Sequence, residues 1–162
     1  KYRRGEIFVP EMILAARAMK KGVEVLKPYL ASEHPMILGK VIIGTVAGDL
    51  HDIGKNLVSM MLENAGFEVV DLGIDVSTQK FIDAVKKHPD ASIVALSALL
   101  TTTLPAMRET VHGLNGQAFR DRIQIIVGGT PVNEDFAKEI GADGYSSNAA
   151  EAVVLVKRLI GT

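Results

Sequence analysis

Apolar residues recur every three or four positions between residues 9 and 28, which is the spacing of one face of a helix. Pro10 falls in the predicted first turn, where its missing N–H costs little, and Pro28 limits the helix at its other end. The apolar stripe consists of Met12, Ala15, Ala16, Met19, Val23 and Leu26. Since one or two helices alone cannot bury such a stripe, we expect this segment to pack on another part of the protein.

Short apolar runs and helical patterns alternate five times from about residue 38 to the end of the chain. The predicted strands cover residues 40–46, 67–71, 92–96, 123–127 and 143–145. The predicted helices cover residues 53–65, 77–88, 104–119, 133–140 and 149–160. This alternation predicts an α/β fold with a doubly wound, five-stranded parallel sheet, flavodoxin-like with strand order 2-1-3-4-5. Ligands of such sheets bind at the carboxyl ends of the strands, here near the switch point between strands 1 and 3.

Composition and charge exclude several classes of function. The 162 residues carry a net charge of −1 with both signs mixed, so we expect neither nucleic acid nor a membrane surface as a partner. Aromatic residues make up only 5% of the chain, which disfavours stacking on single-stranded nucleic acid. No apolar run reaches the roughly 18 residues of a membrane span. The absence of cysteine excludes disulfides and thiolate metal sites, and it predicts an intracellular, cytoplasmic protein.

Unusual residues follow three strands of the predicted sheet. After strand 1 comes Asp49-x-His51-x-x-Gly54, after strand 3 a hydroxyl-rich segment at residues 97–103, and after strand 4 a Gly-Gly pair at residues 128–129. A carboxylate near an imidazole can fix the tautomer of the ring and raise its basicity, as groups behind metal ligands do. Paired glycines let a large ligand lie against the backbone. Each feature alone is more often structural, but together they predict a ligand site with a metal at His51.

Other cofactor sites fit the sequence less well. A dinucleotide site would need G-x-G-x-x-G after strand 1, and a P-loop would need Gly-Lys-Ser/Thr where residues 54–56 have Gly-Lys-Asn. A phosphorylated receiver domain would need an acidic cluster and a lysine after strand 5, where residues 144–146 have Gly-Tyr-Ser. A zinc site would need two more ligands nearby. None of these sites accounts for all three loops.

The residues of the three loops form one set, which is Asp49, His51, Gly54, Ser97, Leu99, Gly128 and Gly129. This set resembles the signature of cobalamin-binding domains that hold the cofactor base-off with a histidine below the cobalt. The resemblance covers about residues 36–162. The residues around the set are similar to methanol- and methylamine-type corrinoid proteins and to the cobalamin domain of methionine synthase, more than to the adenosylcobalamin mutases.

The resemblance also implies two domains. Residues 1–34 resemble the C-terminal part of the helical cap that precedes this domain in methyltransferase corrinoid proteins, and residues 35–162 resemble the cobalamin-binding α/β domain. Two or more earlier cap helices are then expected in front of Lys1, which would make the chain part of a longer protein. Met12 and Met19 are candidates for cap residues that face the corrin ring, and ordinary core packing explains them equally well.

The resemblance implies a role for each site residue. His51 is implied as the lower axial cobalt ligand, Asp49 as the partner of its other ring nitrogen, and Ser97 as the residue that hydrogen-bonds Asp49. This relay is expected to gain or lose a proton as the cobalt changes oxidation state. The glycines would make room for the nucleotide tail of the cofactor, and the other residues would line that slot. The whole expected cofactor-binding set is Asp49, His51, Asp52, Ile53, Gly54, Ser97, Leu99, Thr101, Thr102, Gly128 and Gly129.

The implied function is to carry a methyl group on cobalamin, which alternates between methylcobalamin and a cobalt(I) corrinoid, and not to catalyse a reaction alone. A substrate:corrinoid methyltransferase would supply the methyl group. A corrinoid:acceptor methyltransferase would pass it to a thiol or tetrahydrofolate, and a reductive activase is a further expected partner. Three alternatives stay open: a cobalamin-dependent sensor without methyl transfer, a cofactor-free α/β interaction domain, and a mutase subunit.

Overall fold

The computed structural model describes residues 37–161 without a gap, and before them Phe8, Pro10, Glu11, Leu14, Ala15, Ala18, Lys21 and Gly22. The chain divides into two compact units, residues 1–36 and residues 37–162. In the first unit, the described residues from Pro10 to Gly22 are helical, and the Phe8 N–H donates to Glu11 Oε2 at 3.0 Å. The rest of the predicted apolar stripe lies outside the described residues, namely Met12, Ala16, Met19, Val23 and Leu26.

The second unit is a parallel sheet with helices on both sides, and its strand order β2-β1-β3-β4-β5 confirms the predicted order. The strands are β1 (Lys40–Thr45), β2 (Glu68–Asp71), β3 (Ala91–Ser97), β4 (Gln124–Gly128) and β5 (Gly144–Ser146). The helices are α1 (Ile53–Asn64), α2 (Thr78–Lys87), α3 (Leu104–Asn115), α4 (Glu134–Ile140) and α5 (Ala149–Ile160). Short 3-10 turns at Thr101–Thr103 and Arg120–Arg122 precede α3 and β4.

Two apolar layers cover the faces of the sheet, because successive side chains of a strand point to opposite faces. On β1, Val41 and Ile43 belong to the layer beneath α1 and α5, which includes Leu62. Ile42 belongs to the opposite layer, beneath α2, α3 and α4, which includes Phe81. All five side chains are almost completely buried, as is usual for a parallel sheet covered on both faces.

Helix α3 ends earlier than the sequence predicts, at Asn115 instead of about residue 119. The N–H of Gly116 closes the last turn on the carbonyl of His112. The Asn115 side chain then donates to the carbonyl of Gly141 and accepts from Arg120 Nε, so it stabilises a bend in place of another helical turn. Glycine at the end of the periodic pattern was a stop signal for this helix.

The carboxyl ends of four strands form one row across the sheet. Thr45 is the register partner of Ser97, Ser97 of Gly128, and Gly128 of Ser146. The loops that follow β1, β3 and β4 therefore leave the sheet side by side. None of the helices in the described part of the chain combines the length and the apolar character that a membrane crossing requires.

Candidate functional site

The loop between β1 and α1 buries Asp49 and leaves His51 at the surface. The Asp49 side chain is completely inaccessible to solvent, whereas half of the His51 side chain is exposed. Gly48 adopts a left-handed conformation with φ 79°, and the Asp49 N–H then bonds back to the carbonyl of Val46. The Thr45 hydroxyl donates to the His51 carbonyl at 2.9 Å, which fixes the backbone that carries the imidazole.

The Asp49 carboxylate accepts five hydrogen bonds from the surrounding protein. Its Oδ1 lies 3.1 Å from the backbone nitrogen of His51 and 2.8 Å from His51 Nδ1. Its Oδ2 accepts from the backbone N–H groups of Leu99 at 2.7 Å and Leu100 at 3.2 Å, and from the Thr103 hydroxyl at 2.9 Å. Burial disfavours the charged form of this carboxyl. The hydrogen bonds outweigh burial, with that from Leu99 the strongest, and hold the pKa of Asp49 well below its ordinary value.

The contact with Asp49 determines the tautomer of His51. An ionised carboxylate only accepts hydrogen bonds, so Nδ1 must carry the proton in the 2.8 Å contact. In the neutral ring, the lone pair therefore resides on Nε2. A neutral imidazole with its other nitrogen bonded to a carboxylate is the usual form of a histidine metal ligand. The contact predicted between Asp49 and His51 is present, and it leaves Nε2 of the neutral ring as an available ligand atom.

The hydroxyl that reaches Asp49 belongs to Thr103, whereas the resemblance implied Ser97. Ser97 ends β3 half-buried, and it is not among the described donors to the Asp49 carboxylate. Thr103 is buried at the N-cap of α3, but its side chain does not cap the helix. Pro105 lacks one of the N–H groups that such a cap would serve. A threonine at an N-cap followed by proline was therefore the signal for Thr103 that the sequence offered.

Four large apolar side chains stand in solvent around His51. Leu50 is 67% exposed and Ile53 is 72% exposed, on either side of the histidine in the chain. Leu99 and Leu100, whose backbone N–H groups bind Asp49, are 43% and 40% exposed. Exposed apolar side chains beside a polar centre are typical of a binding surface. The two loops that carry His51 and bind Asp49 thus expose apolar side chains to which a large ligand can bind.

The glycines of the site differ in what surrounds them. A Cβ added to Gly129 would lie 1.8 Å from the carbonyl oxygen of Ala98, so the fold itself requires glycine there. A Cβ on Gly128 would lie 3.2 Å from the Ser146 carbonyl oxygen, which is a tight contact. A Cβ on Gly54 would meet no atom within 4 Å. The fold therefore leaves open space at the first turn of α1, next to the histidine loop.

The remaining predicted residues lie at the same edge of the sheet. Asp52 precedes α1, and its carboxylate accepts from the Asn56 side chain at 2.9 Å. Thr101 and Thr102 are exposed in the 3-10 turn that follows β3. Among the described residues, no three His, Cys, Asp or Glu side chains are grouped to hold a metal ion. A metal bound by His51 would therefore take its remaining ligands from the bound molecule and not from side chains of the described residues.

The comparison with protein families agrees with this site. The model of the B12-binding family, described as a B12 binding domain, matches residues 39–154. This chain belongs to the B12-binding family. A second model, also described as a B12 binding domain, matches residues 1–27.

Relatives of this B12-binding chain match it over nearly its whole length. Dimethylamine corrinoid protein 3 of Methanosarcina acetivorans is 44% identical over 159 residues, which are 98% of this chain and 74% of the relative. A cobalamin-binding protein from Desulfitobacterium hafniense has a crystal structure that is similar at a TM-score of 0.83 and 41% identity, over 98% of this chain and 74% of that one. The methanol:cobalamin methyltransferase complex MtaBC of Methanosarcina barkeri matches at a TM-score of 0.83 and 36% identity, over 99% of this chain and 60% of that one.

Cobalamin is the cofactor of this B12-binding domain, and the residues at the carboxyl edge fit it. The Nε2 lone pair of His51 offers one ligand to a metal whose remaining ligands belong to a macrocycle. The exposed leucine and isoleucine side chains match the apolar surface of such a ring. The open space at Gly54 is a place where a ligand can lie against the backbone of α1.

Proposed function

We propose that this chain carries a methyl group between two methyltransferases on a cobalamin that is held base-off, with His51 as the lower axial ligand. The observation that carries the proposal is the 2.8 Å contact between His51 Nδ1 and the fully buried Asp49 carboxylate. This contact leaves the lone pair of the neutral ring on Nε2, in a side chain of which half is exposed to solvent. The relatives support methyl transfer as the chemistry, since they are named as dimethylamine corrinoid proteins and as part of a methanol:cobalamin methyltransferase complex.

Bound cobalamin supplies a cobalt centre that accepts and releases a methyl group. The protein's part is to position His51 and to control the proton on it. Asp49 accepts from Nδ1 and so keeps the lone pair of the neutral ring on Nε2, where the cobalt would bind. Leu99, Leu100 and Thr103 hold Asp49 ionised through the hydrogen bonds that they donate to its Oδ2.

The nucleotide tail of the cofactor is assigned to the slot beside the histidine loop. Open space at Gly54 supports this assignment, and we keep Gly128 and Gly129 as proposed members of the slot. Ser97 remains a candidate to hydrogen-bond the tail, since its hydroxyl is not bound to Asp49. The other residues assigned to the slot and its rim are Asp52, Ile53, Leu99, Thr101 and Thr102.

The proposed partners are a substrate:corrinoid methyltransferase, a corrinoid:acceptor methyltransferase that uses a thiol or tetrahydrofolate, and a reductive activase in the cytoplasm. A methylated amine is the donor class that the names of the curated relatives favour. We also assign residues 1–34 to the end of a helical cap domain. The division of the chain into units 1–36 and 37–162 and the separate family match at residues 1–27 support that assignment.

The test is the absorption spectrum of the whole chain after loading with methylcobalamin and desalting. The parent should retain colour and show a base-off, histidine-ligated spectrum. His51→Ala should lose the histidine ligation while its stability falls by no more than about 1 kcal/mol, since half of the side chain is exposed. His112→Ala is the matched control, because His112 is exposed on α3.

Two outcomes would contradict the proposal. If His51→Ala gave the spectrum of the parent, His51 would not be the ligand. If the loaded parent kept its methyl group in the presence of a corrinoid:thiol methyltransferase and a thiol, the chain would instead fit a cobalamin-dependent sensor.

A further inference from the structure

Asp75 lies in the loop between β2 and α2, and its backbone conformation is unusual. With φ 51°, it is the one non-glycine residue of positive φ in the described part of the chain. Most side chains disfavour this left-handed conformation, whereas aspartate and asparagine tolerate it. The next residue, Val76, forms a parallel bridge with Val46 at the end of β1. The loop of Asp75 therefore runs directly beside the loop that carries the histidine.

Asp75 binds the histidine loop through two hydrogen bonds. Its Oδ1 accepts from the Gly48 N–H at 2.7 Å, and its own N–H donates to the Asp49 carbonyl at 3.1 Å. Gly48 also has a left-handed backbone conformation, so this contact joins two positions whose conformation few residue types tolerate. The side-chain bond from Gly48 stabilises both turns.

Asp49 is thus held from both neighbouring strands. The loop after β2 fixes its backbone through Asp75. The loop after β3 fixes its carboxylate through Leu99, Leu100 and Thr103. The carboxylate can meet His51 Nδ1 only if both ends of the residue are in place.

We propose that Asp75 is a positioning residue for the cobalt ligand, acting through Asp49 on the tautomer of His51. The inference rests on the proposed role of His51 and extends it to a residue on another strand of the sheet. This role requires two properties of the residue at position 75: a side-chain acceptor for the Gly48 N–H, and tolerance of the left-handed backbone conformation. Asparagine satisfies both requirements, glycine satisfies only the second, and alanine satisfies neither.

The first measurement uses the protein without cofactor. Two-bond ¹⁵N–¹H correlations of the histidine rings show which nitrogen of His51 carries the proton. The ratio of the Nδ1–H to the Nε2–H tautomer should fall by about fivefold in Asp75→Gly, as expected for the loss of one hydrogen bond. Asp75→Asn should stay within about twofold of the parent, because it keeps the acceptor. Asp83→Ala is the control, since Asp83 is an exposed carboxylate on α2 bonded only to its neighbour Gln79 in the described structure.

The second measurement uses the whole chain loaded with methylcobalamin. The equilibrium between histidine-ligated and unligated spectra should shift by about fivefold toward the unligated form in Asp75→Gly and Asp75→Ala, at unchanged pH. Asp75→Gly relieves the left-handed strain, so it keeps the test available if Asp75→Ala fails to fold. Rescue by asparagine separates positioning from a general loss of packing.

An unchanged tautomer ratio in Asp75→Gly would overturn the inference, whatever the loaded spectra show. Equal losses in Asp75→Asn and Asp75→Gly would also overturn it, because the acceptor would then not matter. If the parent bound methylcobalamin without histidine ligation, the proposed function would fail, and the tautomer ratio would still decide the role of Asp75.

Discussion

Strand β1 has a charged cluster at each end, and the two clusters are built differently. At the amino end, Lys40 Nζ lies 3.1 Å from Glu68 Oε1 and 2.7 Å from Asp90 Oδ2, with 47% and 63% of the two acidic side chains exposed. The hydrogen bond to Asp90 raises the pKa of Lys40, and the same bond lowers the pKa of Asp90. At the carboxyl end, Asp49 is completely buried and is bound by His51, two other backbone N–H groups and a hydroxyl.

Solvent makes the difference between the two ends. At the amino end the Lys40 side chain is only 13% exposed, but water can replace either of its two exposed carboxylates and salt screens them, so each pair adds little to stability. Water cannot reach Asp49, so each of its hydrogen bonds must come from the fold, and each donor would be left unpaired without it. Substitutions of the carboxylates at the amino end should therefore cost little stability. The carboxyl end requires specific residues in the loops that follow three strands, so these residues of the candidate site also stabilise the fold.

The largest expected effect is that of Asp49→Ala, which leaves several buried donors without an acceptor. The free energy of unfolding should fall by about 2–5 kcal/mol. Asp90→Ala removes the matching carboxylate at the other end of β1 and should leave the unfolding midpoint in urea at the parent value. A similar loss in both variants would mean that the two clusters do not differ as described.

The second largest expected difference between the two clusters is in how the free energy of unfolding depends on acid pH. The folded pKa of Asp49 is below its unfolded value of about 3.9, so its stabilisation is complete above that pH and is lost as the pH falls through the folded pKa. The free energy of unfolding should therefore decline below about pH 4, with Asp49 contributing up to about 1.4 kcal/mol per pH unit. Asp49→Asn should remove this contribution, and Asp90→Asn should keep it. An unchanged acid slope in Asp49→Asn would show that this carboxylate is not held ionised by the fold.

The smallest effect concerns the hydroxyl on Asp49. Thr103→Val keeps the shape of the side chain and removes one donor, so the unfolding free energy should fall by about 1 kcal/mol. Ser97→Ala should cost less than about 0.5 kcal/mol, since Ser97 is half-buried and does not bind Asp49. The reverse order of the two losses in urea unfolding would restore Ser97 as the partner of Asp49.

Much of the architecture could be predicted because it depends on local patterns and general rules of chain topology. Alternating apolar runs specified the five strands, and right-handed crossovers fixed their order and brought Thr45, Ser97 and Gly128 into one row. The contact between Asp49 and His51 was implied by the family resemblance, and their two-residue spacing in a short loop is compatible with it. These features depend little on side-chain detail.

Other parts of the site depend on how individual turns close, which the patterns do not encode. Residues 97–103 carry four hydroxyls, and the 3-10 turn at residues 101–103 brings that of Thr103 to Asp49. The place of Thr103 before Pro105 was a local signal for it, but apolar periodicity alone does not show that signal. Asp75 had no signal in the sequence, since a single aspartate between a strand and a helix is common in solvent-exposed loops. Its importance comes from contacts with a segment 27 positions earlier in the chain.

Two of the three site glycines, Gly54 and Gly129, are constrained in different ways. Any lineage that keeps the fold must keep Gly129, because a side chain there would overlap the Ala98 carbonyl oxygen. Nothing in the fold restrains Gly54, where an added carbon meets open space. Under the proposed role of Gly54 in the cofactor slot, loss of cobalamin binding would let side chains accumulate at position 54 while position 129 stayed glycine. A side chain at position 54 would then identify a lineage that keeps the fold without the cofactor.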